Sequence, residues 1–284
     1  MVGKREKKRN RVRLPGILLL LAAAAALLTS GGPSGVAADS PVEVRAAAEV
    51  APLPSLPEEM PAQPEVPVRQ EEPKLAGPVA ESGPVEDTYF DDAVFLGDSR
   101  TEGFSLYSGL ETGTYFHAVG ATVESVFTKA VETERGKMPL LDAMAEVDCG
   151  KIYVMLGINE LGWSKVETFH DQYARLIDRL RGDHPGAEIV LQSIIPVSAK
   201  QEAKGSYVNN GRIAVYNEVI QALAAEKDCP YLDVEEAVVD ESGCLRADWN
   251  FDGVHLNVAG CEAWLEYLRT HPVGEGPEPA EELE

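Results

Sequence analysis

The stretch Val94-Phe95-Leu96-Gly97-Asp98-Ser99-Arg100 decides the fold. A short apolar run stops abruptly at a Gly-Asp-Ser turn. That is how a buried strand ends at the edge of a sheet. Two other stretches look built to meet it, Gly157-Ile158-Asn159-Glu160 and Asp252-Gly253-Val254-His255-Leu256. Together they offer a hydroxyl, an amide donor, a carboxylate and an imidazole. Nucleophilic acyl transfer needs that set of groups.

The strand reading extends along the chain. Further apolar runs at Tyr115–Val119, Lys151–Leu156, Glu188–Ile194 and Tyr231–Val234 join Ala93–Leu96 as five strand candidates. Their near-continuous apolar character suits strands covered on both faces. Helical periodicity lies between them. Phe169, Tyr173, Leu176, Ile177 and Leu180 mark one apolar face, and Ile213, Tyr216, Val219, Ile220 and Leu223 mark another. A last helix over about 258–268 carries Trp264, Leu265 and Leu268. Strand–helix alternation predicts an α/β domain with a parallel sheet and helices on both faces. In such a sheet the site forms at the carboxyl ends of the strands. Ser99, Gly120 and Asn159 all follow strand ends, and Asp252 and His255 precede the last helix on a loop free to reach the same edge.

Composition divides the rest of the 284 residues. Residues 1–38 read as a signal peptide or amino-terminal membrane anchor. Seven Lys or Arg fall within residues 4–13, an apolar run follows from Leu14 to Leu28, and Val36-Ala37-Ala38 offers a cleavage site. The run is shorter than the roughly 20 residues of a spanning helix. Residues 39–87 hold ten prolines and eleven acids against three bases, which predicts an extended, disordered linker. The catalytic domain is expected over 88–272 and a disordered acidic tail over 273–284. The formal net charge is −22. Basic residues concentrate at the amino terminus, so the body is more acidic still. It should repel nucleic acid and anionic membranes, leaving membrane contact only through the possible anchor. The expected location is extracellular, secreted or tethered to the outer face of the cytoplasmic membrane. The expected state is a monomer. Cys149, Cys229, Cys244 and Cys261 contain no CxxC spacing, so zinc is not expected. Export permits disulfides, and Cys149 and Cys229, each before an apolar strand-like run, are either a candidate pair or free, partly buried thiols.

On Gly97-Asp98-Ser99, Gly120, Gly157-Ile158-Asn159 and Asp252-Gly253-Val254-His255-Leu256, most of residues 90–270 resembles the SGNH hydrolases, also called GDSL-type esterases and lipases. The resemblance implies a flavodoxin-like three-layer α/β/α sandwich. It implies Ser99 as nucleophile, completed by Asp252 and His255. Gly120 and Asn159 would join the Ser99 backbone in the oxyanion hole. Members cleave or transfer acyl groups, often acetyl groups on carbohydrates. The chain departs from the family pattern at Glu160, where Asp usually follows the Asn, and before Gly120, where the usual Asn is missing.

The chemistry stands without the resemblance. A serine hydroxyl needs a neighbouring base, and His255 can supply it. Asp252, three residues earlier, can fix the imidazole tautomer. The Asn159 amide and the backbone N–H groups of Ser99 and Gly120 could hold the oxyanion. No metal or organic cofactor is required. Arg100 is a candidate to bind a substrate carboxylate, or else to pair with Asp98 or Glu102. The polar loop Ser198–Asn210, with Tyr207, Asn209 and Asn210, could face a sugar. His117, His170, His184 and His271 have no comparable context. There is no Gly-x-Ser-x-Gly elbow, which argues against an ordinary α/β-hydrolase. The expected activity is an exported serine esterase that removes small acyl groups, acetyl above all, from a carbohydrate or cell-wall glycan. Two alternatives stay open, O-acetyl transfer by the same triad and a non-catalytic glycan-binding module.

Overall fold

The computed structural model describes residues 75–274. In chain order these form β1 (Ala93–Gly97), α1 (Ser99–Tyr107), β2 (Thr114–His117), β3 (Ala130–Thr133), β4 (Gly136–Pro139), α2 (Leu140–Met144) and β5 (Lys151–Met155). There follow α3 (Val166–Asp183), β6 (Glu188–Gln192), α4 (Ala199–Glu202), α5 (Asn210–Glu226), β7 (Tyr231–Leu232), α6 (Glu235–Val238) and α7 (Val258–Thr270). Five strands make one sheet in the order β2-β1-β5-β6-β7, and every pairing in it is parallel. With helices on both faces this is the expected three-layer α/β/α sandwich.

Side-chain alternation sorts each strand onto two cores. Val94 and Leu96 of β1, Ile152 and Val154 of β5, and Ile189 and Leu191 of β6 share one core with Phe169, Tyr173 and Ile177 of α3 and Ile213 and Ile220 of α5. Phe95, Tyr153 and Val190 point the other way, towards Phe104 of α1 and Trp264 and Leu268 of α7. There the Phe95 ring stacks on Tyr153 at 5.1 Å and on Tyr115 at 5.0 Å. Trp264 donates its indole N–H to Gln192 at 2.9 Å, so its one polar atom is satisfied in the core.

The sheet order reverses between β1 and β5. A crevice therefore opens outside their carboxyl ends. Gly97-Asp98-Ser99 leaves β1 there, and Gly157-Ile158-Asn159 leaves β5 there. The antiparallel β3–β4 hairpin and α2 were not expected from the sequence. The hairpin strands are exposed or half-buried, with no apolar alternation strong enough to announce them.

The domain boundary needs correction. Residues 75–87, assigned to the linker on proline content, lie along the domain. Ala76 donates to Gln221 O, Val79 to Tyr231 O, Ser82 to Thr270 O and Val85 to Arg269 O. Pro78 pairs in parallel with Tyr231, so this strap borders β7, the edge strand. Proline lacks an N–H but keeps an extended backbone, which an edge accommodates. Val85 is buried, as is Val273 just past the expected end of the domain. Tyr89 and Val273 fix that end by exchanging two hydrogen bonds. The leader, residues 39–74 of the linker and residues 275–284 lie outside the described residues. Among the described residues no helix is long and apolar enough to cross a membrane.

A chain beginning at Thr88 should be less stable than one beginning at Leu75. Burial of Val85 alone is worth about 1.5–3 kcal/mol. Urea unfolding of the two lengths should show the difference, and equal midpoints would mean that the strap carries no stability.

Candidate active site

The site starts with a glycine. A Cβ at Gly97 would lie 2.0 Å from Thr101 Oγ1 and 2.6 Å from Met155 O, so only hydrogen fits where α1 turns back against β1 and β5. Asp98 is the N-cap of α1, and its Oδ1 accepts the Arg100 N–H at 2.8 Å. Ser99 is then the first helical residue. Its N–H has no intrahelical acceptor and belongs to the positive end of the helix dipole.

Across the edge, residues 249–257 form a tight loop. Asn257 N–H donates to Trp249 O and Phe251 N–H to His255 O. Gly253 sits at φ +97°, and a Cβ there would come 2.7 Å from Ser198 Oγ. The Ser198 N–H also donates to Gly253 O at 2.9 Å, tying the loop to the segment after β6. Within the loop, Asp252 Oδ1 accepts the N–H groups of Val254 and His255, both at 2.9 Å. Its Oδ2 stands 2.8 Å from His255 Nδ1, and His255 Nε2 stands 3.0 Å from Ser99 Oγ.

Partial burial works to raise the Asp252 pKa. The backbone N–H of His255, its imidazole and the N–H of Val254 outweigh that and hold the carboxyl down at about 2. An ionised carboxylate only accepts, so the proton belongs on Nδ1. That leaves Nε2 free to accept from the Ser99 hydroxyl. The imidazole and carboxylate side chains are 41% and 54% exposed, so the chain of three groups opens directly to solvent.

The oxyanion candidates converge on the same edge with one qualification. Gly120 lies in the turn from Ala118 to Ala121, at φ +68°. This turn is anchored by the Ala118 N–H on Gly97 O at 3.2 Å, directly before Ser99. Among the described residues the Gly120 N–H has no partner, whereas Ala121 N–H is spent on Ala118 O. Asn159 Nδ2 contacts Ala121 O at 2.8 Å and Asp98 Oδ2 at 3.3 Å. Both amide protons are thus directed at protein oxygens, and the longer contact to Asp98 is the one a substrate oxygen would replace.

Arg100 does not face the crevice. It is 2% exposed and donates through Nη1 to Ile195 O at 2.5 Å. Among the described residues its Nε and Nη2 have no hydrogen-bond partner. Burial pulls its pKa down to about 10, against the charges of Asp98 and Asp252. A substrate carboxylate cannot reach it, so the expected substrate contact is withdrawn. Among the described residues its guanidinium forms no ion pair with Asp98 or Glu102, and Asp98 meets Arg100 through the backbone N–H instead. The loop Ser198–Asn210 is likewise less available than its composition suggests. Asn209 caps α5, and Asn210 holds both the N–H and the C=O of Val197. Of Tyr207, Asn209 and Asn210, Tyr207 is the exposed one, and it lies against Gly162. Sequence reasoning missed the parts played by Asp98 and Ser198. An acid directly before a helix start was a readable N-cap signal, whereas the Ser198 contact is purely tertiary. All four cysteines are free, so the pairing of Cys149 with Cys229 is not made. Cys149 instead lies 3.5 Å from His184 Nδ1. No cluster of three or more metal-ligating side chains occurs among the described residues.

A model of the GDSL-like Lipase/Acylhydrolase family matches residues 95–263, more than half of the chain. The chain belongs to that family. The GDSL-like assignment makes it an ester-hydrolysing serine hydrolase, an acyl esterase in the broad sense. Among solved structures, one described provisionally as a platelet activating factor from Streptococcus pneumonia is 25% identical. The match covers 62% of this chain and 81% of that one, with a TM-score of 0.52. A GDSL-like lipase from Bacteroides thetaiotaomicron is 17% identical over 64% and 86% of the two chains, with a TM-score of 0.46. A carbohydrate acetylesterase family member from Sinorhizobium meliloti is 19% identical over 63% and 95%, with a TM-score of 0.44. Among curated proteins no relative matches.

Asp252 should add stability fully above its ordinary value of 3.8 and lose that contribution as pH falls through about 2. Thermal unfolding should therefore show Asp252→Asn less stable than the parent above about pH 4, with the gap closing towards about pH 2. A gap independent of pH would show that the folded carboxylate is not depressed.

Proposed function

We propose that this GDSL-family esterase works through a Ser99–His255–Asp252 triad and an acyl-enzyme, removing small acyl groups, acetyl above all, from an extracellular glycan. The observation that carries the reading is the unbroken relay from Ser99 Oγ to His255 Nε2 at 3.0 Å and from His255 Nδ1 to Asp252 Oδ2 at 2.8 Å. His255 takes the hydroxyl proton as Ser99 attacks the ester carbonyl, and later returns it to the leaving alcohol. Asp252 holds the ring and stabilises the imidazolium. The N–H groups of Ser99 and Gly120 and the Asn159 amide receive the oxyanion. Water then enters, with His255 again as base, and releases the acid.

Exposure of His255 and Asp252 gives water direct access as acceptor. It also suits an ester carried on a bulky polymer, which a closed pocket would exclude. The basic and apolar amino terminus supports export, and the acidic body supports a neutral substrate rather than a phosphate-rich one. The domain would act as a monomer at the outer face of the membrane or beyond it.

Ser99→Ala should reduce hydrolysis of p-nitrophenyl acetate by at least about 10³-fold, and Asn159→Ala by about 10²- to 10³-fold, mostly in kcat. Unaltered hydrolysis by Ser99→Ala would sink the mechanism. A panel of esters of increasing chain length, with acetylated xylan and peptidoglycan, tests the substrate. Preference for long acyl chains over acetyl would overturn the glycan reading while leaving the triad standing.

A further inference from the structure

Glu160 follows the proposed oxyanion donor Asn159, and the structure buries it completely. A carboxyl with no access to water is costly unless its oxygens are used. One is used at long range in sequence: Oε1 accepts the Val123 N–H at 2.7 Å. The other, Oε2, has no partner among the described residues. Burial, opposed by the Val123 N–H and reinforced by nearby Asp98, pushes the carboxyl up to about 8. In either protonation state Oε1 can accept the Val123 N–H. Glu160 is itself held firmly. Its backbone N–H donates to Gly157 O, and its carbonyl accepts from Trp163 N–H and from the Tyr216 hydroxyl at 2.7 Å each.

What Glu160 grips is the turn that carries Gly120. Besides Lys129 Nζ on Val119 O and the bonds of Thr122 with Ser125 and Val126, that turn is tied to the ends of β1 and β5 at three points. Ala118 N–H meets Gly97 O, Ala121 O meets the Asn159 amide, and Val123 N–H meets Glu160. The first anchor belongs to the end of β1 and the other two to the loop after β5. Gly120, with its free N–H and left-handed backbone, is suspended between them. Val123 is fully buried, so no solvent could replace the bond if Glu160 were lost.

We propose that Glu160 is a positioning residue that locks the Ala118–Val123 turn, so that the Gly120 N–H is held where the ester oxygen becomes an oxyanion. The inference rests on the serine-esterase reading above. Its reach is set by length. Aspartate would fall one methylene short of Val123, whereas glutamine keeps the chain length and the acceptor oxygen.

The test uses the full chain and three variants, Glu160→Met, Glu160→Gln and Glu160→Asp. Glu160→Met keeps volume in the core but removes the acceptor. It should lower kcat for p-nitrophenyl acetate about 10- to 100-fold with little change in KM, the range expected when a catalytic group is misplaced by an ångström or less. Affinity for benzeneboronic acid, whose tetrahedral adduct on Ser99 places an oxygen in the hole, should fall in parallel. Glu160→Gln should restore most of both. In a cycle with Asn159→Ala, the effect of Glu160→Met should shrink, because both residues fix one turn. Unchanged kcat and boronate affinity in folded Glu160→Met would overturn the proposal, as would a loss confined to KM. If Glu160→Met does not fold, the comparison of Glu160→Asp with Glu160→Gln decides. A slow Asp variant beside an active Gln variant supports the proposal, and equal rates overturn it. Wild-type activity in Ser99→Ala would instead remove the underlying mechanism, so the two failures are distinguishable.

Discussion

The missing side chain at residue 97 governs everything around Ser99. The backbone of β1 must stop, reverse and begin a helix while Thr101 and Met155 press on the same point. Any Cβ there would force α1 away from the sheet. With α1 displaced, Ser99 would leave the reach of His255, and Asp98 would leave both the helix terminus and Asn159. Close packing at one glycine thus sets the distances over which all the later hydrogen bonds are formed.

From that point the site is assembled by short local devices. Asp98 caps a helix, Asp252 folds its own loop by accepting two backbone N–H groups, and Gly253 lets that loop pass Ser198. Each device uses backbone donors, so each fixes a functional side chain through the main chain rather than through other flexible side chains. The Asp252 carboxylate shows the economy of this. One oxygen organises the loop and the other orients the imidazole.

These devices explain what could be read in the sequence. The strands of the inner sheet announced themselves because burial on both faces leaves no polar residue within Val94–Leu96 or Ile152–Met155. The relay residues were legible because strand-end placement and the three-residue Asp–His spacing are local facts. Arg100 was misjudged because a charge beside a nucleophile suggests a ligand. Only the folded chain shows it covered and turned towards Ile195. Asn209 and Asn210 were misjudged for a related reason, since an amide that binds sugar and one that binds backbone have the same composition. The strap at 75–87 was hidden by its prolines, which signal extension but do not say whether the extended chain has an edge to lie on. Glu160 was visible only as a departure from a pattern, because its partner Val123 is 37 residues away.

The strap also has a mechanical consequence. Its hydrogen bonds reach Gln221, Tyr231, Thr270 and Arg269 in succession. A pull on residue 75 therefore loads them one after another, as in peeling tape, before force reaches the inner strands. Ser99 follows β1 and Asn159 follows β5, whereas β7 is the edge next to the strap. Tension at the amino-terminal end of the domain would be dissipated along that edge, and the relay would keep its geometry while the strap gave way.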